Sequence, residues 1–160
     1  MHYEKILESI MKIRFHDCDP FNHLNNSRYI DYIISARGDQ LLDHYHLDIY
    51  QLARERGIGW ATVQTQISYL VPALVGEEVR IQTRLLGYSE KSLLLEGLMW
   101  NNERTIVKAV MWTKLAHFDI RTQKGLSHSQ ELVHLFQQVV HPLDEKVVFE
   151  TRVKNLHTKE

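Results

Sequence analysis

The hydrophobic pattern of the chain changes period near Gly57, and this change restricts the fold more than any other feature. Before it, Tyr29 opens a run whose apolar residues recur every three or four positions, which predicts a long helix. The apolar arc is wider than one stripe, so the helix should be buried on more than one side. After Gly57 come four segments rich in β-branched and aromatic residues, with clear alternation over 78–86. One helix followed by consecutive strands predicts an α+β fold with an antiparallel sheet.

The remaining segments complete the predicted order of elements. Residues 9–15 predict a first strand, 48–56 a short helix and 129–140 an amphipathic helix. The four strands after the long helix are expected at 60–70, 78–86, 92–100 and 105–118. Residues 144–160 are charged and weakly patterned, so we expect a C-terminal surface strand or tail after a single domain over 1–143. One face or one edge of the sheet would then be free for a partner subunit.

Composition narrows the class of protein. The chain has 160 residues, 44% of them hydrophobic and 24% charged, as in ordinary soluble domains. A net charge of −1 gives no support for nucleic acid or an anionic membrane as a partner. No apolar run approaches the roughly 20 residues of a membrane span, and no secretory leader is evident, so we expect a cytoplasmic protein. The single cysteine, Cys18, excludes an internal disulfide and a Cys-rich zinc site.

Reactive side chains are concentrated in the loop directly before the long helix. Residues 17–26 read Asp-Cys-Asp-Pro-Phe-Asn-His-Leu-Asn-Asn, which combines carboxylates, a thiol, an imidazole and carboxamides. The helix N-terminus that follows offers unpaired N–H groups and a partial positive charge, which suit a developing oxyanion. The sequence therefore predicts a site in which acid, base and amide groups surround the start of a helix.

This loop resembles the signature of a known enzyme family. The pattern Asp-x-Asp-x-x-x-His-x-Asn-Asn-x-x-Tyr, from Asp17 to Tyr29, is similar to the loop of hotdog-fold acyl-CoA thioesterases of the 4-hydroxybenzoyl-CoA thioesterase-like family. A second landmark of that family, an aromatic residue and Pro followed by Gly and an acid, is similar to residues 69–78. The resemblance covers roughly residues 8–120. It implies a hotdog fold, a curved antiparallel β-sheet wrapped around a long central α-helix, that assembles edge to edge as a homodimer or homotetramer.

The resemblance also implies roles for residues of the loop. Asp19 matches the catalytic carboxylate, the backbone N–H near Asn26 matches the donor that polarises the thioester carbonyl, and His23 matches a histidine that is catalytic in some branches. Asn22 stands where the family usually has Gly, and Asn tolerates left-handed backbone angles better than most residues. The residues expected to contact substrate are Asn22, Asn25, Tyr29 and Trp60.

The implied reaction is hydrolysis of a fatty-acyl or aryl thioester of CoA or acyl carrier protein to a free acid. Asp19 would act as general base on water or as nucleophile on the carbonyl, and the sequence leaves both routes open. No cofactor is expected. Asp17 is expected to shape the loop, and His117 is expected at an exposed strand position.

Two other interpretations remain open at this stage. The chain could be a non-catalytic hotdog protein that binds acyl-CoA or acyl carrier protein, since a second acidic residue cannot be placed from the sequence. It could also be a metal-dependent hydrolase, although no helical ligand spacing favours a metal site. The ligands in that case would be His16, Asp17, Asp19 and His23.

Overall fold

Five strands form one antiparallel sheet within residues 2–157, the part of the chain that the computed structural model describes. The strands are β1 (Ile6–Lys12), β2 (Ile58–Tyr69), β3 (Glu78–Tyr88), β4 (Ser92–Asn101) and β5 (Val107–Asp119). Their order across the sheet is β1-β3-β4-β5-β2, and every neighbouring pair is antiparallel. Strand β2 therefore lies at one edge of the sheet and β1 at the other.

The long helix α1 (Tyr29–Tyr45) packs across one face of this sheet, as the sequence predicts. Its buried residues include Tyr32 and Ile33, which lie on apolar side chains of the three central strands. Gly97 of β4 permits this close approach, because a Cβ atom there would overlap Cγ2 of Ile33. The predicted combination of an antiparallel sheet and a buried helix is confirmed.

Two shorter helices cover the rest of that side. Helix α2 (Ile49–Arg56) begins at Asp48, whose side chain accepts hydrogen bonds from two backbone amides of the first turn. It ends at Gly57, which adopts a left-handed φ of 64°. Helix α3 (Gln130–Val139) buries one apolar stripe against leucines of β3 and β4, next to the C-terminal end of α1.

The C-terminal segment differs from the expected surface strand or tail. Residues Phe149–His157 form a helix, α4, whose Phe149 and Leu156 are buried against the sheet. Their neighbours Leu98 and Val110 alternate with the residues that face α1, so α4 covers the opposite face of the sheet. The prediction failed because charged residues between the apolar positions mask a short helical stripe.

A buried carboxylate attaches α4 to the sheet. Glu96 of β4 is 1% exposed and accepts hydrogen bonds from Nε and Nη2 of Arg152 on α4, both at 2.8 Å. Trp112 donates its indole N–H to the same carboxylate at 2.9 Å, and Nε of Arg84 lies 3.3 Å from it. Each Glu96 oxygen is therefore engaged by the side chains that surround it.

We expect Glu96→Gln to lower the free energy of unfolding by about 3 kcal/mol, because it leaves the guanidinium groups of Arg84 and Arg152, which are 12% and 14% exposed, without their counter-ion. Urea denaturation measures this loss. The matched control is Glu8→Gln on β1, where the carboxylate pairs with Arg80 and Arg104 but is 22% exposed. Glu8→Gln should lower the free energy of unfolding by less than about 1 kcal/mol, because partly solvated ion pairs contribute little to stability. Equal losses in the two variants would contradict this account of α4.

Candidate active site

The loop before α1, here called the Asp19 loop (residues 16–26), is fixed to the helix by Asp17. Its Oδ2 atom accepts a hydrogen bond of 2.6 Å from the hydroxyl of Tyr32 on α1. The backbone oxygen of Asp17 accepts the amide of Asn25 at 2.9 Å, which closes the loop on itself. Burial, followed by this hydrogen bond, raises the pKa of Tyr32, so the phenol remains a donor. Through these two hydrogen bonds Asp17 stabilises the conformation of the loop.

Asp19 uses only one of its carboxylate oxygens within the loop. Oδ1 accepts the backbone amides of Phe21 at 2.8 Å and His23 at 3.0 Å. Oδ2 has no hydrogen-bond partner among residues 2–157, and the side chain is half-buried. Asn22 adopts a φ of 65°, the left-handed conformation in which Asn can replace Gly. The turn therefore presents a carboxylate with one fixed oxygen and one oxygen available for chemistry.

The start of the helical run lies beside this carboxylate. A short 3-10 turn, Asn26–Arg28, leads directly into α1, and the side chain of Asn25 caps it by accepting the Ser27 amide at 3.1 Å. The amide of Asn26 donates to no protein acceptor within the described residues. This N–H group is available to a ligand at the positive end of a helix.

Asp19, His23, Asn26 and Tyr29 line one cavity of about 200 Å³. Its other wall is formed by Tyr69, the last residue of β2, and by Leu70, Val71 and Pro72, which follow it. Tyr69 donates its hydroxyl to the backbone oxygen of Asn26 at 3.0 Å, and its ring contacts that of Tyr29 edge-on at 5.1 Å. The wall is thus joined to the first residues of the helical run.

These wall residues begin a second loop, the Pro72 loop (residues 70–77), which is attached to the Asp19 loop. The Leu24 amide donates to Ala73 O at 2.8 Å, and the Val75 amide donates to Asn22 O at 3.0 Å. Buried Lys108 holds the loop from below: its Nζ atom lies 3.0 Å from both Pro72 O and Oε2 of Glu77. The two loops are therefore hydrogen-bonded to each other as well as to the fold.

The structure separates the predicted site residues into three groups. Asp19, His23, Asn26 and Tyr29 come together in the cavity, whereas Asn22 and Asn25 serve the loop as a turn residue and a helix cap. Trp60 lies away from them and lines a second, larger cavity. The walls contributed by Tyr69 and its successors were not predicted as site residues, although the aromatic-x-x-Pro landmark marks them in the sequence.

The metal interpretation finds no ligand set in the structure. Among residues 2–157, no cluster of three or more His, Cys, Asp or Glu side chains could hold a metal ion. The thiol of Cys18 points to the Arg14 carbonyl at 3.4 Å. Burial and the nearby carboxylates of Asp17 and Asp19 raise the pKa of Cys18, which disfavours the thiolate.

Trp60, which lines the second cavity, belongs to a stack of aromatic rings. Its ring stacks on His117 with centroids 4.4 Å apart, and its Nε1 donates to Nε2 of His128 at 3.0 Å. His117 is 1% exposed, which corrects the expectation of an exposed position: its side chain faces the end of β2 that contains Trp60. Burial lowers the pKa of both histidines, so the folded protein favours their neutral forms.

This burial predicts a loss of stability in acid. An unfolded chain protonates its histidines near pH 6.5, whereas the buried pair resists protonation, so their stabilising contribution is present above about pH 6.5 and is lost as pH falls below it. Between pH 7.5 and 5.5, the unfolding free energy of a His117→Asn/His128→Asn double variant should fall less than that of the wild type. His134→Asn, on an exposed part of α3, is the control and should leave the fall unchanged. An equal fall in the double variant would contradict the prediction.

None of the helices within residues 2–157 has the length and apolar character to span a membrane.

Comparisons with known proteins identify the family and the fold of the chain. A family model described as the thioesterase-like superfamily matches residues 13–136. The long-chain acyl-CoA thioesterase FadM of Escherichia coli is 27% identical over 134 residues, which cover 84% of this chain and 99% of FadM. A solved structure of YbaW, a probable thioesterase from the same organism, superposes with a TM-score of 0.70 at 27% identity over 84% of this chain and 99% of its own.

A more distant structure shares the fold alone. The DHNA-CoA thioesterase of Staphylococcus aureus superposes with a TM-score of 0.77 at 14% identity, covering 84% of this chain and 90% of that one. The expected hotdog fold and the expected class of thioester hydrolases are confirmed, and the chain belongs to the thioesterase-like superfamily.

Proposed function

We propose that this protein hydrolyses acyl-CoA thioesters to a free acid and CoA in the cavity between the Asp19 loop and the Pro72 loop. The observation that carries the proposal is that one cavity is lined by both Asp19 and Asn26. Within residues 2–157, the Oδ2 atom of Asp19 and the backbone N–H of Asn26 have no hydrogen-bond partner. FadM, named as a long-chain acyl-CoA thioesterase, supports the choice of a CoA thioester as substrate.

In the proposed mechanism, the thioester oxygen accepts the Asn26 N–H, which stabilises the negative charge that develops on it. Asp19 either takes a proton from a water that attacks the carbonyl carbon, or attacks that carbon itself to form a mixed anhydride that water then cleaves. In both routes the carbon–sulfur bond breaks, and the CoA thiolate leaves and is protonated. His23, in the same cavity, orients the water or the carbonyl.

The proposal is tested by measuring release of free CoA thiol from a panel of thioesters. The panel contains aliphatic acyl-CoAs of increasing chain length, one aryl-CoA and one acyl-carrier-protein thioester, each assayed with and without a chelator. We expect turnover of at least one CoA thioester, unaffected by the chelator. Saturable acyl-CoA binding without thiol release would overturn the proposal and favour the non-catalytic binding protein.

We further propose that chains associate in pairs through the β2 edge, giving the homodimer, or each pair within the homotetramer, that the family resemblance implies. Strand β2 pairs with β5 on one side only, and it carries a bulge between Thr62 and Gln64. Val63 at this bulge is 58% exposed on an open strand edge, where an unpaired backbone favours strand addition.

Sedimentation velocity at micromolar concentration tests this assembly. We expect Val63→Lys to shift the wild-type oligomer to smaller species, because it places a charge at the centre of the proposed interface. Val148→Lys is the matched control, since Val148 is 55% exposed but lies outside β2. A monomeric wild type, or an unchanged Val63→Lys oligomer, would rule out the β2 interface.

A further inference from the structure

A second cavity of about 340 Å³ lies under the C-terminal half of α1, between that helix, α2, α3 and the sheet. Its walls are mostly aliphatic and aromatic, and they include Leu41, Leu85, Leu95, Leu115 and Phe136. This volume falls at the lower end of the roughly 300–1,000 Å³ typical of small-molecule sites. The cavity is large enough for a ligand and is chemically suited to an apolar one.

Arg37 of α1 is the one charged residue among the described residues that line this cavity. It is 7% exposed, and its Nη1 atom donates to the hydroxyl of Thr83 at 2.9 Å. Thr83 in turn donates to Gln40 at 2.6 Å, so a buried chain of hydrogen bonds fixes the guanidinium in place. The Nε atom of Arg37 is buried and has no hydrogen-bond partner.

The charge of Arg37 also lacks a counter-ion. Within residues 2–157 it forms no ion pair with a carboxylate, in contrast to Arg84 and Arg152, which share Glu96 on the other face of the sheet. Burial lowers the pKa of Arg37 to about 10, so the group still carries its charge at neutral pH. Buried charges in proteins are normally paired, because an unpaired one is costly. An anion inside the cavity would supply the missing partner.

We propose that this cavity binds an aliphatic carboxylate, with its carboxylate on Arg37 and its chain along the apolar walls. The free acid is favoured over a thioester because only the acid carries an anionic group at the end of its chain. Ile34 and Tyr50 line the cavity and are 38% and 63% exposed, which places its mouth between α1 and α2.

This site is distinct from the candidate active site. Arg37 lies 11 residues after Asn26. The α-helical rise of about 1.5 Å per residue, and the larger rise of the 3-10 turn, separate the two by at least about 16 Å along the helical run. The proposal therefore does not depend on hydrolysis at the Asp19 loop, and binding can be measured whether or not the protein turns over acyl-CoA.

Isothermal titration calorimetry with decanoate and 1-decanol tests the role of the charge. The wild-type chain is titrated in the presence of saturating CoA, which keeps the CoA-binding part of the proposed active site occupied. We expect decanoate to bind at least about tenfold more tightly than decanol, as charge-assisted hydrogen bonds to a buried cation would give. Equal affinity for the two ligands, or no binding of either, would overturn the proposal without bearing on hydrolysis.

Two variants place the binding in this cavity. Arg37→Met should fold, because it removes an unpaired buried charge, and it should abolish the preference for decanoate over decanol. Ala53→Trp on α2 leaves Arg37 unchanged but fills the cavity, and it should weaken both ligands at least about tenfold. Decanoate affinity that is unchanged in Ala53→Trp, or a preference retained in Arg37→Met, would overturn the proposal.

Hydrolysis assays on the same variants separate this site from a substrate pocket. If the wild type hydrolyses acyl-CoA, both variants should retain its rates to within about twofold. A loss confined to long acyl chains in both variants would identify the cavity as the acyl pocket of the substrate, and the proposed second site would be wrong.

Discussion

Asp19→Asn should lower kcat for acyl-CoA hydrolysis by about 10²–10⁴-fold, the range typical for loss of a positioned acid or base. Asparagine retains an Oδ1 atom, so it can still accept the amides of Phe21 and His23 that shape the turn. Its other atom is an NH₂ group, which can neither take a proton from water nor attack a carbonyl. Steady-state thiol release and thermal unfolding of the same preparation separate a chemical effect from a loss of fold.

The neighbouring carboxylate provides the matched control. Asp17→Asn keeps an acceptor for the hydroxyl of Tyr32. The hydrogen bond becomes weaker, because an amide oxygen replaces the carboxylate oxygen that accepts it in the wild type. We expect it to lower the unfolding temperature while hydrolysis falls by less than about tenfold, because Asp17 is absent from the cavity lining. Near-normal turnover by Asp19→Asn would refute the proposed mechanism. Equal losses of activity in the two variants would assign Asp19 a structural role only.

Asn26→Pro should lower kcat by about 10²–10³-fold, because it removes the backbone N–H proposed to stabilise the oxyanion. Proline is tolerated at the first position of a helical turn, where no intrahelical bond is lost. The preceding residue also permits it, since Asn25 already has φ −62° and ψ 134°, in the extended region that a following proline requires. The substitution therefore removes a donor atom with little change to the chain path.

Asn26→Ala is the control for this variant, because it deletes the side chain and retains the N–H group. We expect it to keep kcat within about fivefold of the wild type, since the proposed role belongs to the backbone. Circular dichroism should show equal helix content in the alanine and proline variants. If proline and alanine lower kcat equally, the oxyanion donor is not the Asn26 amide.

Periodicity was sufficient to predict the central helix and the last four strands of the sheet, whereas the first strand, expected at 9–15, lies at Ile6–Lys12. The run that begins at Tyr29 and the alternation over 78–86 each reflect burial on a defined face, which local sequence records directly. The left-handed conformation of Asn22 could also be predicted, since Asn is one of the few residues other than Gly that adopt it readily. These features depend on neighbours close in sequence.

Features that depend on distant partners could not be predicted in the same way. His117 is buried because Trp60, far from it in the chain, and His128, which follows β5, stack around it. In the sequence, Arg152 is one of several charged residues in a polar segment. Its partner Glu96 lies on a distant strand, so their contact cannot be predicted from the segment alone. The same distinction applies to the site residues. Asn25 caps a helical turn two residues away, whereas Tyr69 contacts Asn26 only because the folded sheet places the end of β2 beside the helix.

The pairing of the Asp19 loop with the Pro72 loop has a consequence for protein engineering. Hydrogen bonds from the Leu24 amide to Ala73 O and from the Val75 amide to Asn22 O join the loops, so each loop stabilises the conformation of the other. The chemistry of the first loop therefore cannot be grafted onto another scaffold alone. A transplant has to carry both segments with their register intact, together with the lysine that holds the second loop from below.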